Sequence, residues 1–299
     1  MKSYNGYILA ALAAFLWGLN ATVAKSLFHQ AIDPGRLVEI RITGSFLVLA
    51  AGLLAWRRRQ VLLPRTSLPV MAVIGINLAL VQFTYFFTIS LTDVATAVFL
   101  QYLSPVFLVL WEWLGEHQPL TWQKVISLVL AMTGSYLLVT GEGGRLAVTP
   151  LGLAVGLLSA VIFGAYTLIT RKQVGRYDSW TVLGYAMGFG ALAWSLWTPP
   201  WVAYTVDVFR SSWPGLLYVV IGGTVVPFGL FFMGLRYIPP SAATITAMLE
   251  PVVAAVSAQV FLGEIQSPVH WFGAGLILLG IVALQLSPSV PQRALNSTG

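Results

Sequence analysis

Long apolar stretches dominate the chain, and short polar segments separate them. Ten stretches reach about 18–20 residues or more, the length at which a helix crosses the hydrocarbon of a bilayer. They lie near residues 6–28, 35–56, 68–90, 94–114, 120–140, 150–171, 179–199, 213–235, 240–262 and 268–286. The connections between them are too short to hold a soluble domain.

Uniformly apolar runs of this length predict an all-α membrane protein with ten transmembrane helices. Strands of a membrane barrel would instead alternate between apolar and polar residues over about ten positions. Charged residues make up 9% of the 299 positions, against about 25% in soluble domains. A soluble enzyme and a disordered chain are thereby excluded. Because cysteine is absent, disulfides and thiolate metal sites are excluded too. We expect no metal, cofactor or nucleic-acid partner.

The basic residues predict how the chain is oriented in the bilayer. The first run follows a single Lys2 and has no small-residue cleavage site, so we expect it to stay as a span. With the N-terminus inside, eleven basic residues face the cytoplasm and five face outward. The five outward ones are Lys25, Arg36, Arg41, Arg145 and Arg210. The inward group includes the triplet at 57–59. This bias predicts that both termini are cytoplasmic.

An internal repeat becomes visible when the chain is shifted along itself by 146 positions without a gap. The matched pairs include Gly6 with Gly152, Gly18 with Gly164, Gly44 with Gly190, Pro105 with Pro251 and Gly134 with Gly280. One offset pairs all five helices of each half. We therefore divide the chain into a first five-helix repeat at 1–146, a second at 147–290, and a cytoplasmic tail at 291–299.

The odd number of spans in each half means that the second repeat enters the membrane from the opposite side. Inverted repeats around a site near the bilayer midplane are typical of secondary transporters. Two near-equal packings of such halves supply the inward-open and outward-open states of alternating access. The chain lacks a G-x-x-x-x-G-K-[S/T] loop, which disfavours a primary pump.

Candidate site residues are those that break the rules of a lipid-facing helix. Pro105 and Pro251 lie midway in the fourth and ninth spans, where each removes a backbone donor and predicts a kink. Glu250 directly precedes the second proline, and its repeat mate is Ser104. A carboxylate at this depth is costly, so we expect it to carry a proton or to hold a cationic group of a substrate. A structural carboxylate bonded to a neighbouring helix is the alternative.

Aromatic residues away from the interface complete the candidate substrate site. Trp17 lies midway in the first span, and its repeat mate Phe163 is followed by Tyr166 three positions later. Tyr85 lies in the third span, and Tyr102 lies three positions before the proline of the fourth. An aromatic cage around a polar centre is one interpretation, and ordinary aromatic packing is the other.

Four further charged residues have roles that the sequence leaves open. Lys25, Glu39 and Arg41 lie near the outer ends of the first two spans, where they pair locally or gate the outer mouth. Glu112 lies near an inner span end, from which its side chain could snorkel to water.

Two segments resemble the EamA-type branch of the drug/metabolite transporter (DMT) superfamily. They are TDVATAVFLQYLSPVFLVLWEWL from Thr92 and SAATITAMLEPVVAAVSAQVFLGE from Ser241, with glycine-rich helices around Gly134 and Gly280. The resemblance covers about residues 6–286. It implies a bacterial inner-membrane exporter of small metabolites, such as amino acids or amphipathic compounds, with a central cavity between the halves.

One position departs from that family. A glutamate usually follows the proline of the fourth helix by thirteen residues, as Glu264 follows Pro251, but here the position is Gln118. A titrating role for a first-half glutamate is therefore in doubt. Protons as coupling ion and the oligomeric state stay open.

Other function classes have weaker support in the sequence. An intramembrane enzyme would need a histidine or paired acids at depth, and His29, His117 and His270 all fall at predicted span ends. A channel would favour polar or charged rings along a pore. A non-transporting membrane protein is the remaining alternative. We expect a transporter and not an enzyme.

Overall fold

The computed structural model describes residues 2–29, 32–56, 62–92, 94–143, 146, 148–204, 206–263 and 265–286. Every regular element in these ranges is helical, which confirms the all-α prediction. Nine candidate membrane spans occur in the described residues. The seventh predicted span is a helix of 17 residues and is not among these nine. The 57–59 triplet, Arg145, Glu264 and the tail at 291–299 lie outside the described residues.

Thirteen α-helices longer than a single turn lie in the described residues, and we number them in chain order. They are α1 Lys2–His29, α2 Pro34–Trp56, α3 Leu68–Leu91, α4 Val94–Gln101, α5 Ser104–Leu114, α6 Trp122–Thr140, α7 Pro150–Val174, α8 Ser179–Ser195, α9 Val206–Val220, α10 Val226–Gly234, α11 Pro240–Ala247, α12 Leu249–Leu262 and α13 Pro268–Gln285. A single turn at Pro200–Ala203 lies between α8 and α9.

Side-chain caps begin several of these helices. The Thr149 hydroxyl accepts a hydrogen bond from the Gly152 amide at the start of α7, and Asp178 accepts two amide bonds at the start of α8. Ser267 and His270 form a capping box on α13. Because the first amides of a helix have no partner within it, these bonds determine where the polar loops give way to membrane helix.

Three of the spans predicted from the sequence are interrupted near the middle, within the residues that the structure describes. The fourth breaks at Tyr102–Leu103, between α4 and α5, and the ninth breaks at Met248, between α11 and α12. The eighth contains a π-helical segment, Ile221–Val225, between α9 and α10. Breaks of this kind are tolerated in a membrane where the irregular backbone lies against protein or a water-filled cavity. All three therefore mark the interior of the molecule.

The helices pack into one bundle in which the two halves of the chain interleave. Helix α1 packs against α10, α11 and α12 of the second half, while α7 packs against α3, α4 and α5 of the first. Helix α2 packs against α8, and α6 runs along α13. The centre of the bundle thus lies between helices from both halves.

The α6–α13 pair shows the closest backbone approach that glycine permits. A Cβ atom on Gly273 would lie 2.6 Å from the Gly134 carbonyl oxygen, and one on Gly134 would lie 2.5 Å from the Gly273 carbonyl oxygen. A Cβ on Gly275, in the same helix α13, would have no neighbour within 4 Å. Small residues at such interfaces let helices associate in lipid.

Replacing Gly273 with alanine is expected to destabilise the protein by about 1–3 kcal/mol, because the added methyl group overpacks a backbone contact. The measurement is the melting temperature in detergent, followed by size-exclusion chromatography of heated samples. Gly275→Ala is the matched control and should leave the melting temperature within error of the wild type. Equal melting temperatures for both variants would contradict the close packing of α6 and α13.

Candidate substrate site

Glu250 lies in the first turn of α12, directly after the break at Met248. Ten residues separate it from the start of α11, which corresponds to about 15 Å of helix. Its carboxylate lies beside the hydroxyl of Tyr102, which lies in the break of the fourth predicted span. The two interruptions thus bring a carboxylate and a phenol together in the middle of the bundle.

Arg41 approaches the same point from α2. It is the eighth residue of that helix, about 10 Å from its first residue. Its Nε atom donates to Thr224 Oγ1 at 3.3 Å, and Thr224 belongs to the π-helical segment. Arg41 interacts electrostatically with Glu250 and Tyr85. The structure thus places Arg41 at the centre, where the sequence analysis had grouped it with the outward-facing residues.

None of these four side chains is fully covered by its neighbours. Arg41, Tyr85, Tyr102 and Glu250 are all partly exposed, although each lies well inside a membrane span. Arg41 and Glu250, both in the described part of the chain, make no nitrogen–oxygen contact within 4.0 Å. Two opposite charges therefore interact without forming a direct ion pair.

Trp17 packs beside this centre and is almost fully buried, with 9% of its surface exposed. Its ring lies 5.0 Å from that of Phe228 and 5.4 Å from that of Phe231, measured between centroids. The indole Nε1 has no hydrogen-bond partner. One position on, a Cβ at Gly18 would lie 2.7 Å from the Glu250 carbonyl oxygen. Helix α1 is therefore pressed against the turn that carries Glu250.

The other predicted site residues lie in packed surroundings. The ring centroid of Tyr166 lies 6.3 Å from that of Phe163 and 6.1 Å from that of Phe232. Tyr166 is buried and its hydroxyl has no partner. Ser104 and Pro105 are buried at the start of α5, while Pro251 is partly buried in the first turn of α12. The structure thus joins Tyr85, Tyr102 and Glu250, and it places Phe163 and Tyr166 in a second aromatic group.

Glu112 forms the centre of a separate buried cluster. It is fully buried, and its Oε2 lies 2.5 Å from Lys124 Nζ and 2.5 Å from Ser241 Oγ. The Ser241 amide donates to Oε1 at 2.8 Å. Snorkelling of Glu112 to water, considered from the sequence, is therefore wrong, because partners on α6 and α11 satisfy the carboxylate inside the protein.

Glu39 is a second carboxylate that the structure moves inside. It is fully buried, and Oε1 accepts from Thr43 Oγ1 at 2.8 Å and from Ser195 Oγ at 3.2 Å. These bonds join α2 to α8. The partners of Glu39 in this conformation are neutral hydroxyls, so neither of the roles left open from the sequence is tested here.

An apolar groove of about 740 Å³ separates α5 from α7. Leu108, Trp111, Gly164 and Leu168 lie along it, and Lys172 lies at one end. A Cβ on Gly164 would find its nearest neighbour, Leu108, at 3.7 Å. The repeat mate of this position, Gly18, has no such room, because a Cβ there would lie 2.6 Å from Val253 Cβ.

The profile of the EamA-like transporter family matches residues 4–140 and again residues 150–285. The chain belongs to the EamA-like transporter family. The resemblance noted from the sequence is thereby confirmed over nearly the whole chain, and the protein is a membrane transporter of that family.

Relatives of this EamA-like transporter align over almost their full lengths. The uncharacterized inner membrane transporter YicL of Salmonella typhimurium is 27% identical over 97% of this chain and 98% of its own. The threonine/homoserine exporter RhtA of Escherichia coli K12 is 26% identical over 91% and 87%. The pseudopaline exporter CntI of Pseudomonas aeruginosa is 27% identical over 94% and 95%. A crystal structure matches with a TM-score of 0.79 at 22% identity, covering 98% and 99% of the two chains, and shares the fold.

The central arginine of this EamA-like transporter is the residue that sequence reasoning placed least well. Arg41 follows a run of polar residues near a span end, so its sequence position favours the interface. A signal was nevertheless present, because an arginine seven residues inside an apolar span is expected to face the protein interior. Thr224, in the π-helical segment, was also missed. The adjacent Gly222 and Gly223 could have indicated an irregular helix there.

Proposed function

We propose that this protein is a secondary exporter of small metabolites, such as amino acids or amphipathic compounds, that works by alternating access through a central cavity. The observation that carries the proposal is the group of Glu250, Tyr102, Tyr85 and Arg41, which are partly exposed and interact electrostatically inside the bundle, next to two of the helix breaks. RhtA is named a threonine/homoserine exporter and CntI a pseudopaline exporter, which supports export of a small metabolite. Trp17, Phe163, Tyr166 and Ser104 are proposed to form the surrounding wall.

The proposed architecture has ten spans in two inverted five-helix repeats, 1–146 and 147–290. Helix α4 at 94–101 becomes 240–247 when 146 is added, which is the range of α11. The start of α6 at 122 becomes 268, which is the start of α13. Helix α8 is proposed as the seventh of these spans, which brings their number to ten. Its 17 residues extend about 25 Å. The two separate family matches support the same division.

The protein is proposed to lie in the bacterial inner membrane with both termini in the cytoplasm. The excess of eleven inward basic residues over five supports this orientation, and YicL is named as an inner membrane transporter. In this frame Glu112, Lys124 and Ser241 lie toward the cytoplasm. Lipid and a small-molecule substrate are the expected partners, with no cofactor and no catalytic residue. Protons as coupling ion, facilitative flux and the oligomeric state are left open.

Unequal contacts between the two halves support a conformation open to the outside. Toward the cytoplasm α5 packs against α11, whereas the corresponding pair, α12 and α4, has no comparable contact in the described residues. Helix α12 packs closely on α1, while its mate α5 leaves the groove beside α7. Exchanging these two arrangements would close the outer half and open the inner one.

Flux from proteoliposomes across a metabolite panel tests this function. Purified protein should release labelled amino acids or related small amphipathic compounds faster than empty liposomes do, and mass spectrometry should find the released compound chemically unchanged. Trp17→Ala should reduce that flux, because Trp17 packs against Phe228 and Phe231 and the next residue, Gly18, lies against the turn that carries Glu250. If folded protein moves none of the compounds, or alters them chemically, the exporter proposal is wrong.

A further inference from the structure

The interior of the protein holds one positive and one negative group, on α2 and α12. Arg41 and Glu250 interact electrostatically but form no direct ion pair. The neighbouring polar groups given for them are neutral, Thr224 for the guanidinium and Tyr102 for the carboxylate. Both side chains are partly exposed.

An arrangement of this kind leaves most of the binding capacity of both groups unused. A guanidinium carries five N–H donors in a planar fork, and a carboxylate accepts about four hydrogen bonds. Separate charges are costly in a membrane interior unless they are paired. A ligand that reaches both groups would pair with each charge. It would need a negative group for the guanidinium and a positive group for the carboxylate.

We propose that the central site binds a free amino acid with an uncharged side chain, whose carboxylate is held by Arg41 and whose ammonium is held by Glu250. This inference rests on the proposed exporter function. An arginine fork matches a carboxylate in bidentate geometry, and the Glu250 carboxylate matches an ammonium group. The two site charges sum to zero, as do those of the zwitterion, so a charged side chain would find no partner among these groups.

Neutral polar atoms next to the charges fit the same ligand. The Trp17 Nε1 donor and the Asn20 Oδ1 acceptor are buried without partners and lie one helical turn apart on α1. Asn20 lies against Gly223, next to Thr224. Phenol rings of Tyr85 and Tyr102 contribute apolar surface with polar tips. An uncharged side chain, apolar or hydroxylated, suits this wall.

Competition between matched derivatives tests the charge pairing. Proteoliposomes containing the wild type are loaded with labelled threonine, valine, leucine or phenylalanine, and efflux is driven by exchange. The unlabelled parent amino acid should compete at least about tenfold better than its carboxamide or its N-acetyl derivative, because each derivative leaves one buried charge unpaired. Equal competition by all three compounds would overturn the proposal.

Neutralising one of the two charges should abolish discrimination against one derivative and leave discrimination against the other derivative unchanged. Arg41→Gln should slow amino-acid exchange and abolish discrimination against the carboxamide, while discrimination against the N-acetyl compound remains. Glu250→Gln should give the converse pattern. Arg41→Lys should retain part of the discrimination, since it keeps the charge without the planar fork. Arg36→Gln, in the first turn of the same helix, is the control and should behave as the wild type.

Folding and function are separated in the same experiment. Each variant is accepted only if it elutes as a single peak on size exclusion and binds the wild-type substrate at raised concentration in a thermal-shift assay. If Arg41→Gln slows the acid and the amide equally, Arg41 has only a structural role and the proposal is overturned. If only monoamines or monocarboxylates move, the zwitterion site is wrong while export stands. If no compound moves, the exporter function itself is contradicted.

Discussion

Replacing Glu112 with glutamine is expected to cause the largest loss of stability of any single charge-neutralising change in the described residues. The substitution leaves the Lys124 ammonium, 12% exposed, without the carboxylate that lies 2.5 Å away. Breaking a buried ion pair from one side costs about 3–5 kcal/mol, which corresponds to a fall in melting temperature of roughly 10 °C. Arg171 and Tyr7 also lie in the field of Glu112, so the change affects α1 and α7 as well. The loss of stability is measured as the fall in melting temperature on thermal unfolding in detergent.

Two variants show whether the unpaired charge is the cause. Glu112→Gln combined with Lys124→Met removes both charges and should recover most of the lost stability, since the Ser241 amide still has an oxygen acceptor. Glu116→Gln, close in sequence and bonded to Gln118 at 2.8 Å, should cost less than about 1 kcal/mol, as for surface pairs. If the double variant melts as low as Glu112→Gln alone, loss of the ion pair is not the reason for the instability.

Replacing Gly164 with leucine is expected to abolish most transport while leaving the protein as stable as the wild type. In this conformation a Cβ at Gly164 meets only ordinary contacts, and the groove beside it holds the rest of the side chain. In the opposite conformation α5 would close on α7 as α12 closes on α1 here, where a Cβ at Gly18 would lie 2.6 Å from Val253. Overpacking of about 1–3 kcal/mol lowers the population of that state by roughly tenfold or more.

Flux in proteoliposomes and melting temperature together test this prediction. Gly275→Leu is the matched control, because its Cβ also enters open space but lies on α13, outside the α5–α7 contact; its flux should equal that of the wild type. Normal flux in Gly164→Leu would contradict the exchange of packing between the halves. A melting temperature far below the wild type would show that the groove is already filled in this state.

The charged residues separate what sequence reasoning could find from what it could not. Glu250 could be singled out because a carboxylate ten residues inside an apolar span is energetically costly. This signal is visible from its neighbours in the sequence alone. Arg41 was misplaced because its neighbours in sequence, among them Glu39, are polar, so hydropathy located it at the interface. Its partners Thr224 and Glu250 are distant in sequence, and only packing of α2 against the π-helical segment brings them near. Glu112 was misjudged for the same reason, since Ser241 approaches it from the other half of the chain.

The amino-acid sequence alone was enough for the all-helical class and for the resemblance to a transporter family. An apolar run of about 20 residues has helix as its only stable form in lipid. That constraint acts within one segment and needs no knowledge of its neighbours. The tertiary structure decided which polar groups meet, namely Arg41 with Glu250 and Glu112 with Lys124 and Ser241. In lipid there is little hydrophobic preference between one helix face and another, so helix partners are chosen by close packing and buried polar contacts. Those contacts join residues that are far apart in the chain.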